Sequence, residues 1–233
     1  MILWCGVTAQ KTDTLPKTSS YLSIGIGAAV PVGAFAATSG TGLGAYANAG
    51  NSRYISGGLI VNKIRLGFVI TEGAFSSFYK TNTYLGNLKA PDTVKNASFV
   101  KQGGGDMYTG GFGMLGIMTD LRAGKLTFDL KLMGGRFTVL FPELAYYESG
   151  TGTVNQNIYV QYDYVSTETY SLAFSLGLDA RYSFSKHFAV VAEANYLYTQ
   201  FFYSTIEGIS NTLVGNEATV SIVNITAGVA YQF

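Results

Sequence analysis

Residues 170–188 read YSLAFSLGLDARYSFSKHF, and the two parities of this stretch part cleanly. One holds Leu172, Phe174, Leu176, Leu178, Ala180, Tyr182 and Phe184. The other holds Ser171, Ala173, Ser175, Gly177, Asp179, Arg181 and Ser183. Extended backbone sends successive side chains to opposite sides, so this period of two marks a strand with one apolar face. Ser185-Lys186-His187 interrupts the pattern. It resumes with Phe188, Val190, Ala192, Ala194, Tyr196 and Tyr198 against Ala189, Val191, Glu193 and Asn195. The stretch therefore predicts two long strands joined by a tight turn.

The same alternation recurs along the chain. Leu126, Phe128, Leu130 and Leu132 oppose Thr127, Asp129 and Lys131; Val223, Ile225, Ala227, Val229, Tyr231 and Phe233 oppose Asn224, Thr226, Gly228, Ala230 and Gln232. Eight strands are predicted, at 20–31, 53–61, 64–79, 108–118, 125–139, 169–184, 188–203 and 218–233. Gly57-Gly58 and Gly110-Gly111 blur the second and fourth. Short turns (62–63, 119–124, 185–187) alternate with long connections (32–52, 80–107, 140–168, 204–217). An even number of strands, each at least ~9–11 residues long, with short turns at one end and long loops at the other, describes an all-β, antiparallel, up-and-down transmembrane barrel. Residues 157–169 alternate as well. They are expected to extend their strand above the membrane, paired with residues 137–144, or to form an extra hairpin that makes ten strands.

Composition narrows the class. Of 233 residues, 12% are charged, about half the ~25% of soluble proteins, and the formal net charge is +1. Such a chain is too apolar for disorder. With 15 Lys+Arg against 14 Asp+Glu it is no phosphate-neutralising nucleic-acid binder either. A single Cys and a single His exclude a disulfide framework and a zinc cluster, and no cofactor is expected. Residues 1–9 (MILWCGVTA) read as the tail of a signal peptide, with Val7 and Ala9 as the small residues before cleavage. Residues 10–19 follow as a periplasmic segment, and 20–233 form the barrel.

Alternation alone also fits a soluble eight-stranded barrel. The polar parity argues against it. That parity is rich in Gly, Ala and Ser, but also carries Arg65, Asp129, Lys131, Asp179, Arg181 and Glu193. A wetted face would carry more Lys and Glu. These six residues are instead expected inside, with Arg181, Glu193 and Asp179 clustered and Lys131, Asp129 and Arg65 completing a polar plug. Eight strands enclose only enough room for side chains, which excludes a general diffusion pore. Interface girdles are expected from Tyr79, Tyr108, Tyr170, Tyr196 and Tyr198 near the loops and from Tyr182, Phe184 and Phe188 near the turns.

The chain closes Thr226-Ala227-Gly228-Val229-Ala230-Tyr231-Gln232-Phe233. With residues 21–31 (YLSIGIGAAVP) and the 170–198 hairpin, this ending resembles the OmpA/OmpX-like small outer-membrane β-barrel proteins of Gram-negative bacteria. The resemblance implies an assembly signal in Thr226, Gly228, Tyr231 and Phe233, read by the barrel-assembly machinery, with both termini periplasmic. Nothing follows Phe233, so the peptidoglycan-binding domain of two-domain members is expected to be absent.

Enzyme chemistry finds little support. A serine hydrolase needs a His beside its nucleophile, and His187 falls in a short turn on the periplasmic side. Glu148, Asp163 and Glu168 suit an acid pair by position alone. Gly103-Gly104-Gly105 lacks the Lys-Ser/Thr of a phosphate loop. The expected role is non-enzymatic: a structural or surface-interaction protein acting through its long loops, or an accessory subunit of a larger envelope complex. A narrow channel for small or hydrophobic solutes is the alternative. Outer-membrane lipid and lipopolysaccharide are the expected surroundings, with Lys80, Lys89, Lys95 and Lys101 placed to meet phosphates. Asp92-Thr93-Val94 matches a short O-glycosylation signal.

Overall fold

The computed structural model describes residues 18–39, 45–61, 63–87, 94–103, 106–142, 144–152, 157–164, 168–207 and 212–233. The expected signal-peptide remnant, and residues 10–17 of the segment after it, lie outside the described residues.

Eight strands form a closed barrel: β1 (Thr18–Pro31), β2 (Ala47–Val61), β3 (Leu66–Tyr79), β5 (Met107–Ala123), β6 (Leu126–Leu140), β9 (Glu168–Ser183), β10 (Phe188–Glu207) and β11 (Thr212–Gln232). Each pairs antiparallel with its neighbours, and β1 closes the ring against β11, with Tyr21 opposite Gln232 and Val30 opposite Val223. Closure leaves the barrel no open edge, which a sheet in lipid requires because hydrocarbon offers no hydrogen bonds.

The faces sort as the parities require. Ile24, Ile26, Phe68, Ile70, Leu115, Leu130, Leu172, Phe174, Leu176, Ile225 and Val229 all point outward and are exposed, Leu172 by 77% and Ile26 by 74%. A continuous apolar surface of this extent far exceeds the patches of soluble proteins and matches acyl chains. The barrel spans a membrane. Among the described residues no helix is long and apolar enough to cross one.

Tight packing dictates some glycines. A Cβ on Gly58 would stand 2.3 Å from the Tyr21 ring, so the absent side chain gives that inward-facing tyrosine its place. Gly124 takes φ +63° in the turn between β5 and β6, a conformation glycine adopts at no steric cost.

Three further strands, β4 (Val94–Gly103), β7 (Leu144–Gly152) and β8 (Asn157–Tyr164), form a separate sheet in the order β4-β7-β8. This corrects the expected pairing of residues 157–169. Thr138, Val139 and Leu140 already pair with Tyr170, Thr169 and Glu168, so β8 pairs with β7 instead, from Leu144 opposite Tyr164 to Thr151 opposite Asn157. The barrel keeps eight strands, and the sheet belongs to the connections at the loop end. β10 and β11 overrun the barrel there as one hairpin, paired as far as Glu207 and Thr212.

Candidate functional site

The barrel interior holds the densest chemistry. Pairing sets Asp120 opposite Asp129, Asp129 opposite Asp179, and Asp179 opposite Glu193, so β5, β6, β9 and β10 present four carboxylates in one row. Asp129, Lys131 and Asp179 are wholly buried, and Glu193 and Arg181 nearly so. Charges this deep persist only when paired, because each has lost its water.

The pairing is specific. Lys131 Nζ lies 2.5 Å from Asp179 Oδ2 and 3.3 Å from Glu193 Oε2, bridging two strands. Arg181 grips Asp129 bidentately, Nε to Oδ2 at 2.7 Å and Nη2 to Oδ1 at 2.9 Å. Its guanidinium also lies 4.0 Å from the centroid of the Tyr21 ring. Asn195 Nδ2 donates to Glu193 Oε1. Nearer the turn end, Arg122 pairs with Asp120 and donates to Ser19 Oγ at 2.8 Å, tying β5 to β1.

Two expectations need correction here. Arg181 serves Asp129 rather than Glu193 and Asp179. The register ranks the three acids side by side; Lys131 settles between Asp179 and Glu193, while Arg181 takes Asp129, two residues along β6 from its own partner Thr127. Arg65 is not in the lumen at all: it sits in the β2–β3 turn at φ +53°, exposed, where the chain belongs to neither sheet face. Asp120 and Arg122 take its place in the network. Both follow the inward parity of β5, which runs to Ala123 instead of stopping near 118. The described lumen thus holds four acids (Asp120, Asp129, Asp179, Glu193) against three bases (Arg122, Lys131, Arg181).

Toward the loop end the filling turns aromatic. Phe75 stacks on Phe137 at 5.2 Å, Phe137 meets Phe201 at 5.6 Å, and Tyr108 contacts Tyr79, Phe141 and Phe35. Phe35 comes from a short 3-10 helix (Gly33–Ala36). Tyr84 comes from helix α1 (Thr81–Asn87) and packs on Tyr46 at 5.3 Å. Tyr46 is held at φ +67° by its amide, which donates to the Ala37 carbonyl, and by its own carbonyl, which accepts from the Lys80 amide. The loops therefore fold into the mouth.

Tyr79 and Tyr108, expected in the lipid girdle, belong to this plug and are buried. Their parity is inward: Phe78 and Met107 hold the outward positions, and Tyr108 Oη donates to the Ala45 carbonyl at 2.5 Å. Tyr170, Tyr196, Tyr182, Phe184 and Phe188 point outward and are exposed, and Tyr198, on the same parity, is half-exposed. At the seam Thr226 faces the lumen, while Tyr231 and Phe233 face out and meet edge-on at 5.0 Å. Gly228 allows β11 to approach β1, where a Cβ would lie 1.9 Å from the Ile24 carbonyl oxygen.

His187 is exposed in its turn, stacked on Tyr231, with Nδ1 3.1 Å from the Gln232 carbonyl oxygen. Lys80 is half-buried. The side chains of Lys95, Lys101, Glu148, Asp163 and Glu168 lie outside the described residues, as do Lys89 and the Asp92-Thr93 pair.

The outer wall carries charges that the apolar parity did not suggest. Arg53, Glu72 and Arg136 all point outward and are exposed. Arg136 lies over the Tyr170 ring, 4.6 Å from its centroid.

No family model and no curated protein matches the chain. Among solved structures it is similar to Ail, the attachment invasion locus protein of Yersinia pestis, at 13% identity and a TM-score of 0.45 over 94% of this chain and 100% of that one. It is also similar to outer membrane protein AlkL (13%, TM-score 0.45, 99% and 97%) and to Neisserial surface protein A (14%, TM-score 0.40, 93% and 96%). At these levels the likeness adds nothing to what the barrel itself argues.

Proposed function

We propose that this chain is a bacterial outer-membrane barrel, non-enzymatic, that serves as a structural or surface-interaction protein. Both termini face the periplasm and the long loops face outside, where the β4-β7-β8 sheet and the loop lysines meet a partner or lipopolysaccharide. The role suits an accessory subunit of a larger envelope complex. One observation carries the reading: the lumen is filled twice over, by ion pairs in the turn-side half and by aromatic rings and loop segments in the loop-side half. A barrel so filled is a poor conduit, and its variable chemistry lies in its loops.

Reconstitution in planar bilayers tests the first part, with no steady large conductance expected. Large, stable currents would overturn it. Gentle detergent extraction of the whole chain, beside a variant with shortened loops at 88–105 and 141–167, tests the second. A companion retained by the whole chain and lost by the variant supports the loop surface.

A narrow channel is the second reading. It is favoured by the buried Tyr54 Oη, Asn224 Oδ1 and Thr226 Oγ1, which have no hydrogen-bond partner among the described residues and give the lumen a polar lining. Uptake of small solutes by loaded liposomes separates it from the first.

A further inference from the structure

Arg53 and Glu72 stand where a lipid-facing wall should be greasy. Following partners from Ile26 through Arg53, Ala74, Gly111 and Thr138 reaches Tyr170, near the loop end of β9. Following them the other way, through Ala227 and Ala192, reaches Ala180, near its turn end. Register rows therefore climb from β2 toward β3. With strands tilted about 40–45°, each strand step raises the level by about 3 Å, and two residues down β3 lower it by about 5 Å. Glu72, two residues below Arg53's partner Ala74, thus shares Arg53's level to within about 2 Å, and at that level adjacent strands lie about 6 Å apart.

That level is deep. Glu72 lies six residues above Leu66, the lowest outward leucine of β3, about 15 Å up an apolar band about 25 Å tall. Around it are Ile26, Ile55 and Ile70, all exposed. A cation at such depth on a lipid-facing wall costs about 2–4 kcal/mol at the midplane. Neither residue makes a hydrogen bond or ion pair with another described residue. Phosphate headgroups would repel Glu72, so they cannot serve the pair as a whole. The wall beside the pair is also hollow. A groove of about 560 Å³ is lined by Ile26, Asn51, Arg53, Ala74, Ser76 and Thr109. A Cβ on Gly113, next to Glu72, would meet only open space.

We infer that this face, on β2, β3 and β5, is covered by a second copy of the same chain. Two copies in one membrane are related by a two-fold axis along the membrane normal, so like levels meet and the interface must complement itself. A base and an acid side by side at one level meet that condition. An axis passing between them sets each Arg53 against the other copy's Glu72, giving two reciprocal ion pairs with the isoleucines packed around them. The inference needs only the membrane-spanning barrel and is independent of what the loops bind.

The test uses the full chain in phosphatidylcholine vesicles, with two pools labelled by donor and acceptor dyes on the N-terminal amine. Energy transfer between wild-type copies is expected. Arg53→Glu alone and Glu72→Arg alone should each weaken self-association at least tenfold. Mixing those two variants should restore transfer, since one then supplies two acids and the other two bases. Arg53→Leu/Glu72→Leu should stay folded, with unchanged strand circular dichroism, and monomeric. Absence of wild-type transfer would overturn the inference. So would failure of the mixed pools to associate, or association that appears only when a different membrane protein is added.

Discussion

Replacing Lys131 by Met keeps the reach of the side chain and removes only its charge. In the wild type that ammonium lies 2.5 Å from Asp179 and 3.3 Å from Glu193, with all three groups buried. Without it, two carboxylates face each other directly across β9 and β10, and Asp129 stands on the next strand along the same row. Arg181 is committed to Asp129 by two hydrogen bonds and cannot serve both. Breaking a buried pair from one side costs about 3–5 kcal/mol, because the abandoned charge stays in low dielectric. K131M should lose that much, read as the shift in guanidinium midpoint in lipid vesicles by circular dichroism and heat-modifiable gel mobility. Neutralising the whole group, as Lys131→Met/Asp179→Asn/Glu193→Gln, should return stability to within about 1–2 kcal/mol of wild type, since removing a buried set together is often nearly neutral. A loss below about 1 kcal/mol for K131M alone would refute the reasoning and show that the lumen solvates its own acids.

Other perturbations separate neighbouring explanations. Arg181→Leu should destabilise by about 3–5 kcal/mol on the same scale, whereas Arg65→Leu in the exposed turn should stay within about 0.5 kcal/mol. Phe137→Ala, which empties the middle of the aromatic plug, should cost about 3–5 kcal/mol in unfolding and leave the turn-side ion pairs intact. Removing Phe233 deletes one partner of the Tyr231 contact and the final outward aromatic. The amount of folded barrel recovered in outer-membrane fractions should fall, while refolding of purified chain into detergent should change little.

The barrel was legible in the sequence because its strands divide two solvents of opposite character, and each must show that division every second residue. The same rule explains the failures. Arg65 falls on the inward parity only if the strand includes it, and the strand begins at Leu66, after a turn that resets the count. Nearness to the loops alone places Tyr79 and Tyr108 in the girdle. Parity, which places Tyr79 with Phe75 and Ser77, would have turned them inward. Asp120 and Arg122 stay hidden because Gly110-Gly111 blurs the alternation of a strand that in fact runs on to Ala123. Arg53 hid behind the blurred alternation near Gly57-Gly58. The choice of partner for Arg181 depends on three registers at once, and the β4-β7-β8 sheet joins segments more than forty residues apart. Neither is a local property of the chain.

The β1–β11 seam has a consequence for manufacture. It joins Tyr21 to Gln232, so the ring cannot shut until β11 has been made and brought back to β1. Until then two raw edges and an oily exterior coexist, a state that invites clumping in an aqueous compartment. Such a barrel cannot be half made and half useful, because its first strand has no permanent partner until β11 arrives.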